Sequence, residues 1–363
     1  MFTITSILGL LVLLGLVVFF HEAGHFVAAK WARMRVDEFA MGFGPSLFKY
    51  TRGETEYKLN IIPLGGYVKI AGMEPGEEDV KNGFYTKSKR MRLMALVAGP
   101  AMNFVLAIFL FWIYGATYGI PTEAIPVVDK VLQGKAAYQA GIQPGDELLS
   151  IDGRKIADTD DAMRIIGGSP GKAIVMTVKR GAEKLELRVI PDPELEQTID
   201  DTDPDHIKVI EEKRGKIGIV FRTRVEKVGA LKAIAFGFEQ TLVITMALIT
   251  YLIGMVMGKM PVAFGGPIMI ANQLGQDLQV GLAPYLFDLA LISINIGLVN
   301  LLPIPPLDGS RLLFTLVEAV RGKPLPREKE AMVHLVGFVL LMLLMVWIVV
   351  QDVLVLVRGA SLN

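Results

Sequence analysis

Four long runs without a charged side chain constrain this sequence of 363 residues more than any other feature. They cover residues 1–20, 93–122, 289–307 and 335–351. Each run is close to or above the roughly 20 residues that an α-helix needs to cross a bilayer. The sequence therefore predicts a multi-pass α-helical membrane protein with four transmembrane helices.

Two apolar segments need separate treatment. No basic residue precedes the first run and no small-residue cleavage site follows it, so we expect a retained helix and not a signal peptide. A fifth segment, residues 233–258, is apolar but contains Glu239, Gln240 and several glycines. If it crossed the bilayer, the ends of the first and third helices would lie on opposite faces. We therefore expect it at the outer membrane surface, although the sequence leaves open whether it spans.

The distribution of charge predicts the orientation. Residues 30–92 contain 12 Lys and Arg against 8 Asp and Glu, and residues 311–329 are also basic. Because basic loops stay on the cytosolic side, both segments are expected there. The N-terminus and residues 122–288 are then extracytoplasmic.

Composition excludes several classes of function. Lys and Arg together number 37, as do Asp and Glu, so nothing indicates a nucleic-acid binder. The sequence has no cysteine, which excludes disulfide frameworks, thiol catalysis and cysteine-ligated zinc. Of the four histidines, His206 lies in an acidic segment, residues 192–214, that reads as a linker, and we expect it to be an ordinary solvated side chain.

The first apolar run ends in the string HEAGH, which contains His21, Glu22 and His25. Residues at i and i+4 share one helix face, so both imidazoles can reach one metal ion. Glu22 lies beside them and can take a proton from a water molecule on that metal. The alternative is that the three side chains only mark the membrane boundary, but ionisable residues in a membrane helix are costly and seldom without function.

A third ligand is expected because catalytic zinc takes three protein ligands and leaves one position for water. Asp308 follows 19 uncharged residues, and a divalent cation would neutralise it. Pro303, Pro305 and Pro306 break the helix just before it, which is tolerated at membrane depth where the backbone lines a cavity. The alternative for Asp308 is a helix cap.

Residues 39–70 alternate across a turn at Arg52 and Gly53 and predict a β-hairpin, with residues 66–70 as a further strand. An unpaired edge of this sheet near the metal could hold an unwound substrate by strand addition. The alternative is a cytosolic sheet that merely packs.

Residues 125–190 form short β-branched runs separated by Gly and Pro, which predicts a small strand-rich domain. Its centre, AGIQPGDELLSIDG, resembles a PDZ domain of the circularly permuted bacterial type. PDZ domains capture extended peptides by strand addition. A domain that only spaces or screens is the alternative.

HEAGH, the LDG string at residues 307–309 and a PDZ-like module between them resemble the site-2 protease family, intramembrane zinc metalloproteases, in its bacterial regulator-of-sigma-E protease branch. The resemblance implies Zn²⁺ bound by His21, His25 and Asp308, with Glu22 as the catalytic base. Through the family motif NxxPxxxLDG it also assigns substrate handling to Asn300 and Pro303, and upstream to Asn295. The strings AGPAMNF, GFGP and PLGGYVKIAGM match the start of the family's second helix and its membrane-associated β region.

The resemblance implies substrates that are single-pass membrane proteins, such as anti-sigma factors, or remnant signal peptides, in the bacterial plasma (inner) membrane. The best-known members of the branch carry two PDZ domains, whereas this chain has room for one, so a role that depends on a tandem pair is in doubt. Two alternatives remain: an inactive membrane adaptor that uses its PDZ domain, and a membrane-anchored metalloprotease that acts on soluble segments.

The predicted segments, in chain order, are helix 1 (1–29), a cytosolic β region (30–92), helix 2 (93–120), the PDZ domain (121–192), an acidic linker with a short strand (193–229), a membrane-surface segment (230–283), helix 3 (284–310), a cytosolic loop (311–331) and helix 4 (332–357).

Overall fold

The structure is a computed structural model that describes residues 4–74, 76–77, 80–200, 208–260, 266–323 and 326–360. The chain forms two compact units. The first comprises Met1–Thr117, Gly229–Thr250 and Val262–Asn363, and the second comprises Tyr118–Val228 and Tyr251–Pro261. His206 and the expectation made for it fall outside the described residues.

Long helices dominate the first unit. Numbered along the whole chain, they are α1 (Ile4–Trp31), α2 (Lys89–Tyr118), α5 (Ala230–Val256, whose last turns fall in the second unit), α6 (Pro267–Val280), α7 (Leu282–Leu301), α8 (Asp308–Arg321) and α9 (Arg327–Ala360). By length and composition, five helices within the described residues are candidate membrane spans: α1, α2, α5, α7 and α9. The chain is thus a helical membrane protein. The four predicted spans are among the candidates, and the surface placement of α5 stays a prediction.

The end of the third predicted helix needs correction. That helix was expected to run through residue 310, but α7 ends at Leu301 and Asp308 is the first residue of α8. The break falls at the prolines, because a proline lacks the amide hydrogen that the next helical turn requires. The predicted cytosolic loop, residues 311–331, is also wrong in part, since α8 continues to Arg321. Its C-cap, Gly322, has a left-handed backbone that terminates the helix.

The predicted hairpin is confirmed. Strand β1 (Val36–Arg52) pairs with β2 (Thr55–Ile70) around a turn at Gly53, which has φ +63°. Residues 36–41 pair both with residues 56–59 and with residues 66–70, so the GYVKI segment adds a strand as expected. A small core that includes Val36, Ile70 and Phe84 fixes the sheet against α1 and α2.

The second unit is rich in strands, as predicted. Its elements are β3 (Ile120–Val131), α3 (Ala136–Gln139), β4 (Glu147–Ile151), β5 (Arg154–Lys155), α4 (Thr159–Gly167), β6 (Ile174–Arg180), β7 (Glu183–Val189), β8 (Asp192–Asp200), β9 (Lys208–Lys216) and β10 (Ile219–Glu226). An antiparallel sheet has the order β10-β3-β4-β6-β7, with β5 beside β4, and its core is aliphatic.

The turns of this unit follow the sequence prediction, but the linker does not. Gly141, Gly145 and the Asp152–Gly153 pair all have positive φ, as the expected tight turns require. Residues 192–214 were expected to be an acidic linker, whereas most of the described residues of this segment belong to β8 and β9, which pair along their whole length. The β-branched residues Thr198, Ile199, Val209 and Ile210 favour strands, and their pairing outweighs the acidic composition.

Candidate metal centre

Three side chains from distant parts of the first unit meet at one point. His21 and His25 lie one turn apart on α1, and Asp308 lies at the start of α8. The two Nε2 atoms are 3.3 Å apart, and Asp308 Oδ2 lies 3.0 Å from Nε2 of His21 and 3.1 Å from Nε2 of His25. Among the described residues, these three form the group of His and acidic side chains that can hold a metal ion.

This triangle fits zinc. A tetrahedral Zn²⁺ with ligands at 2.0–2.1 Å holds any two of them about 3.3 Å apart. The three observed separations, 3.0 to 3.3 Å, are close to that value. A triangle of three ligands leaves the fourth tetrahedral position free, as a catalytic site requires. Two neutral imidazoles and a carboxylate are also a ligand set that zinc accepts.

Helix α2 positions His25. The His25 Nδ1–H donates to the carbonyl oxygen of Ala95 at 2.8 Å, which leaves Nε2 directed at the other two ligand atoms. The imidazole lies against Gly99, where a side chain of any size would overlap it. Gly24 faces the carbonyl of Ala98 in the same way, so two glycines let α1 and α2 approach closely at the site.

Asp308 is positioned by the turn that precedes it. Gly309 lies so close to the backbone of Leu301 and Leu302 that a methyl group there would overlap both. The glycine therefore lets α8 start directly against the end of α7, and this brings the Asp308 carboxylate to the two imidazoles. The expectation of a plain helix cap finds no support, because Asp308 contacts both histidines.

Glu22 lies between the metal-ligand group and the sheet. The backbone amide of Val68 donates a hydrogen bond to its carboxylate. Gly66 on the same strand lies against the Glu22 side chain and against Val18. Residues 66–70 of β2 therefore run directly beside the predicted catalytic base.

The three residues predicted to handle substrate lie on α7 and in the break that follows it. Asn295 is exposed on α7, and Pro303 is exposed in the break after that helix. The Asn300 side chain donates to the carbonyl of Ile296 on its own helix at 3.0 Å. Their assignment to substrate stays a prediction.

Sequence reasoning missed a buried residue that contacts one of the predicted metal ligands. The Asn103 side chain on α2 is completely buried and lies 3.3 Å from Nδ1 of His21. It stands four residues after Gly99, hence on the same helix face, which is the signal that could have indicated it.

Sequence reasoning also missed a buried ion pair that ties α2 to α8. Arg92 donates two hydrogen bonds to the carboxylate of Glu318, at 3.0 and 2.7 Å. This pair holds the pKa of Glu318 below its usual range. Because Glu318 is on the same helix as Asp308, the pair fixes the direction of α8.

Comparison with known proteins identifies the family. Residues 9–344 match peptidase family M50. The chain belongs to this family, the site-2 proteases. Zinc metalloprotease RasP of Oceanobacillus iheyensis is 31% identical, with 96% of this chain and 99% of the relative covered.

Other M50 relatives are similar over the same extent. A zinc metalloprotease of Geobacillus kaustophilus, also named RasP, is 30% identical over 97% of this chain and 98% of the relative. The regulator of sigma-W protease RasP of Bacillus subtilis is 29% identical over 96% and 98%. The family resemblance inferred from HEAGH and LDG is confirmed: the chain is a zinc metalloprotease, and Zn²⁺ is its cofactor.

Proposed function

We propose that this M50 protease hydrolyses peptide bonds within the transmembrane segments of single-pass membrane proteins, with zinc held by His21, His25 and Asp308. The convergence of three ligand atoms within 3.3 Å, two of them from a helix long and apolar enough to span a bilayer, carries the proposal. A protease that acts on soluble segments would instead have its ligands in a water-exposed domain.

Chemistry at this site divides between the metal and Glu22. Zinc held by His21, His25 and Asp308 would lower the pKa of a bound water molecule to about 7 and polarise the scissile carbonyl. Glu22 would be the base that accepts a proton from the attacking water and returns it to the leaving amine. The amide of Val68 donates a hydrogen bond to the Glu22 carboxylate, which supports a defined position for this base.

A transmembrane helix must be unwound before its carbonyls can be attacked, since its backbone is hydrogen-bonded internally. Residues 66–70 pair with β1 on one side and face Glu22 on the other. We propose that the unwound substrate segment adds to this edge as a strand. Asn300, Pro303 and Asn295 would then contact the substrate from α7 and the break that follows it.

Charge supports the orientation. Residues 30–92 and residues 311–329 are both basic, which supports a cytosolic location for them and a metal-ligand group that lies toward the cytosolic face. Similarity to a bacterial sigma-W regulator favours the bacterial plasma membrane and an anti-sigma factor as substrate.

The second unit has a cavity suited to a peptide. It measures about 970 Å³ and lies between α4 and the segment from Arg214 to Phe221, with apolar walls that include Met163 and Ile219. We propose that this unit is the PDZ domain and that the cavity holds an extended end of the substrate's outer segment.

Met163→Lys should weaken binding of a labelled substrate ectodomain at least tenfold, measured by fluorescence anisotropy. Tyr138→Lys, an exposed position outside the cavity, is the control, and equal binding by both variants would refute the assignment.

The decisive experiment uses purified protein in liposomes with a panel of single-span substrates. Glu22→Gln should retain zinc and fold but lose cleavage by at least a thousandfold, because the amide cannot accept a proton. Asp308→Asn should lower the zinc content. A chelator should stop the wild type, and added Zn²⁺ should restore it. Undiminished turnover by Glu22→Gln, or cleavage restricted to soluble segments, would contradict the proposal, and peptide binding without any cleavage would favour the adaptor.

A further inference from the structure

One buried side chain beside the metal-ligand group is not used by the chemistry described above. Asn103 has no exposed surface, and it lies between α1 and α7. Its main-chain carbonyl accepts a hydrogen bond from Ser293 on α7 at 2.8 Å, and its Cβ lies against Gly297. Contacts with α7 therefore hold the backbone and Cβ of Asn103 in place, while its side-chain amide is directed toward His21.

The placement of the amide conflicts with metal binding. Asn103 Nδ2 lies 3.3 Å from Nδ1 of His21, while Asn103 Oδ1 is buried without a partner among the described residues. The Nε2 atom of His21 points to the other ligand atoms. A neutral imidazole that offers Nε2 to a metal carries its proton on Nδ1. Two donors would then face each other.

Exchanging the two ends of the amide removes this conflict. The oxygen and nitrogen of an Asn side chain are nearly isosteric, and their assignment follows from the hydrogen-bond network. With the ends exchanged, Oδ1 accepts the Nδ1–H of His21, and the buried oxygen gains the partner that it lacks.

We infer that Asn103 is a positioning residue for zinc: its amide oxygen accepts the Nδ1–H of His21 and holds that imidazole in the tautomer and orientation that present Nε2 to the metal. The carbonyl of Ala95 has the same role for His25. Both histidine ligands are thus oriented by α2, one through a main-chain carbonyl and one through a side-chain amide. The inference rests on the proposed zinc ligands and goes beyond them to the residue that orients one of them.

An outer hydrogen-bond partner of this kind is worth about 10–100-fold in metal affinity. The test is the zinc affinity of the purified full-length protein, measured by competition with a chromophoric chelator, which does not depend on activity. Asn103→Ala should lower the affinity about 10–100-fold. Asn103→Asp should keep the affinity within threefold of wild type or raise it, because a carboxylate offers the acceptor but no donor. Thermal unfolding of each metal-free variant reports whether the fold is intact.

Ser293→Ala is the matched control, since it removes a contact of the Asn103 main chain and leaves the amide untouched; its zinc affinity should equal that of wild type. Wild-type affinity in Asn103→Ala would overturn the inference. So would an equal loss in Asn103→Ala and Asn103→Asp with intact folds, because the nitrogen would then be the end that matters. If Asn103→Ala does not fold, Asn103→Leu takes its place, because leucine has nearly the same shape as asparagine but no acceptor, and it should show the same loss of zinc affinity. His21→Ala distinguishes a failure of this inference from a failure of the proposed zinc ligands: if that variant keeps full zinc affinity, the proposed metal site itself is wrong.

Discussion

Single residues decide how closely the two helices that form the site approach each other. The string HEAGH was sufficient to predict that His21 and His25 share one helix face, because the spacing of residues within one helix is a local property. The partners of these histidines were not predictable in the same way. Asn103 is 82 positions from His21, and only the packing of α2 against α1 brings them together.

Gly99 provides a test at this scale. Its Cα lies against the His25 imidazole, and a methyl group there would overlap the ring. We expect Gly99→Ala to displace His25 and lower zinc affinity at least tenfold, although alanine favours a helix more than glycine does. Chelator competition on purified protein measures this.

The matched control is Gly15→Ala in α1, where an added methyl group would contact nothing within 4 Å. This variant should bind zinc as the wild type does. If Gly99→Ala also retains wild-type affinity, the close approach of α1 and α2 is not needed to place the ligand.

Among the elements, α8 shows where the sequence was informative and where it was not. Three prolines correctly predicted a break just before Asp308, although the predicted helix was drawn through it to residue 310. The helix beyond it was missed because its charged residues look like those of a solvated loop. One of them, Glu318, is instead buried against Arg92, and a contact between residues 226 positions apart leaves no local trace.

The elements around α6 bear on the number of membrane crossings. Asp352 is buried near the far end of α9 and accepts hydrogen bonds from the amides of Ile268 and Met269, at 3.0 and 3.3 Å, at the start of α6. Asp352 is 25 residues beyond the start of α9, which is about 38 Å of helix. Gln279, near the other end of α6, donates to Thr5 at the start of α1. The start of α6 therefore contacts the far end of α9, and its other end contacts the start of α1. The distribution of charge predicts that both of these neighbouring ends are extracytoplasmic.

We therefore expect the segment that leads into α6 to be extracytoplasmic, so that α5 does not cross. Because the chain has no cysteine, single cysteines can be introduced without background. Met257→Cys, at an exposed position just after α5, should react with a membrane-impermeant maleimide in spheroplasts. Tyr138→Cys should react likewise, whereas Lys323→Cys should react only after lysis. Labelling of Met257→Cys only after lysis would establish a fifth span.

At the scale of the whole molecule, the second unit shows which features a sequence predicts and which it does not. That this unit is rich in strands was predictable from its turns, since positive φ at Gly141 and Gly145 is signalled locally. Its hairpin of β8 and β9 was not, because an acidic composition conceals strand pairing.

A buried ion pair predicts how the second unit responds to acid. Asp146 is completely buried and accepts two hydrogen bonds from Arg180, each 2.8 Å long, and one from the amide of Gln143. Burial raises the pKa of Asp146, but the hydrogen bonds from Arg180 and Gln143 lower it by more, so the net shift of this pKa is downward. Because the pKa of Asp146 is lower in the folded state than in the unfolded state, where it is about 3.9, the ionised carboxylate stabilises the fold at higher pH. This stabilisation is lost as the pH falls from the unfolded pKa through the lower folded pKa.

Asp146→Asn should therefore destabilise this unit by about 2 kcal/mol at pH 7 and make its stability less dependent on pH between 5 and 3. Urea unfolding of the full chain, followed by pulsed hydrogen exchange of peptides from residues 118–228, gives the free energy. Asp160→Asn, at an exposed position, should change it by less than about 0.5 kcal/mol. Equal pH dependence of wild type and Asp146→Asn would exclude the ion pair as the source.

The metal-ligand group joins the first helix to a carboxylate 283 positions later. If zinc is held as proposed, a nascent chain that has inserted α1 and α2 already contains His21, Glu22 and His25 but lacks the third ligand. Zinc-dependent cleavage would then begin only after Asp308 has been synthesised and α8 has folded against α7.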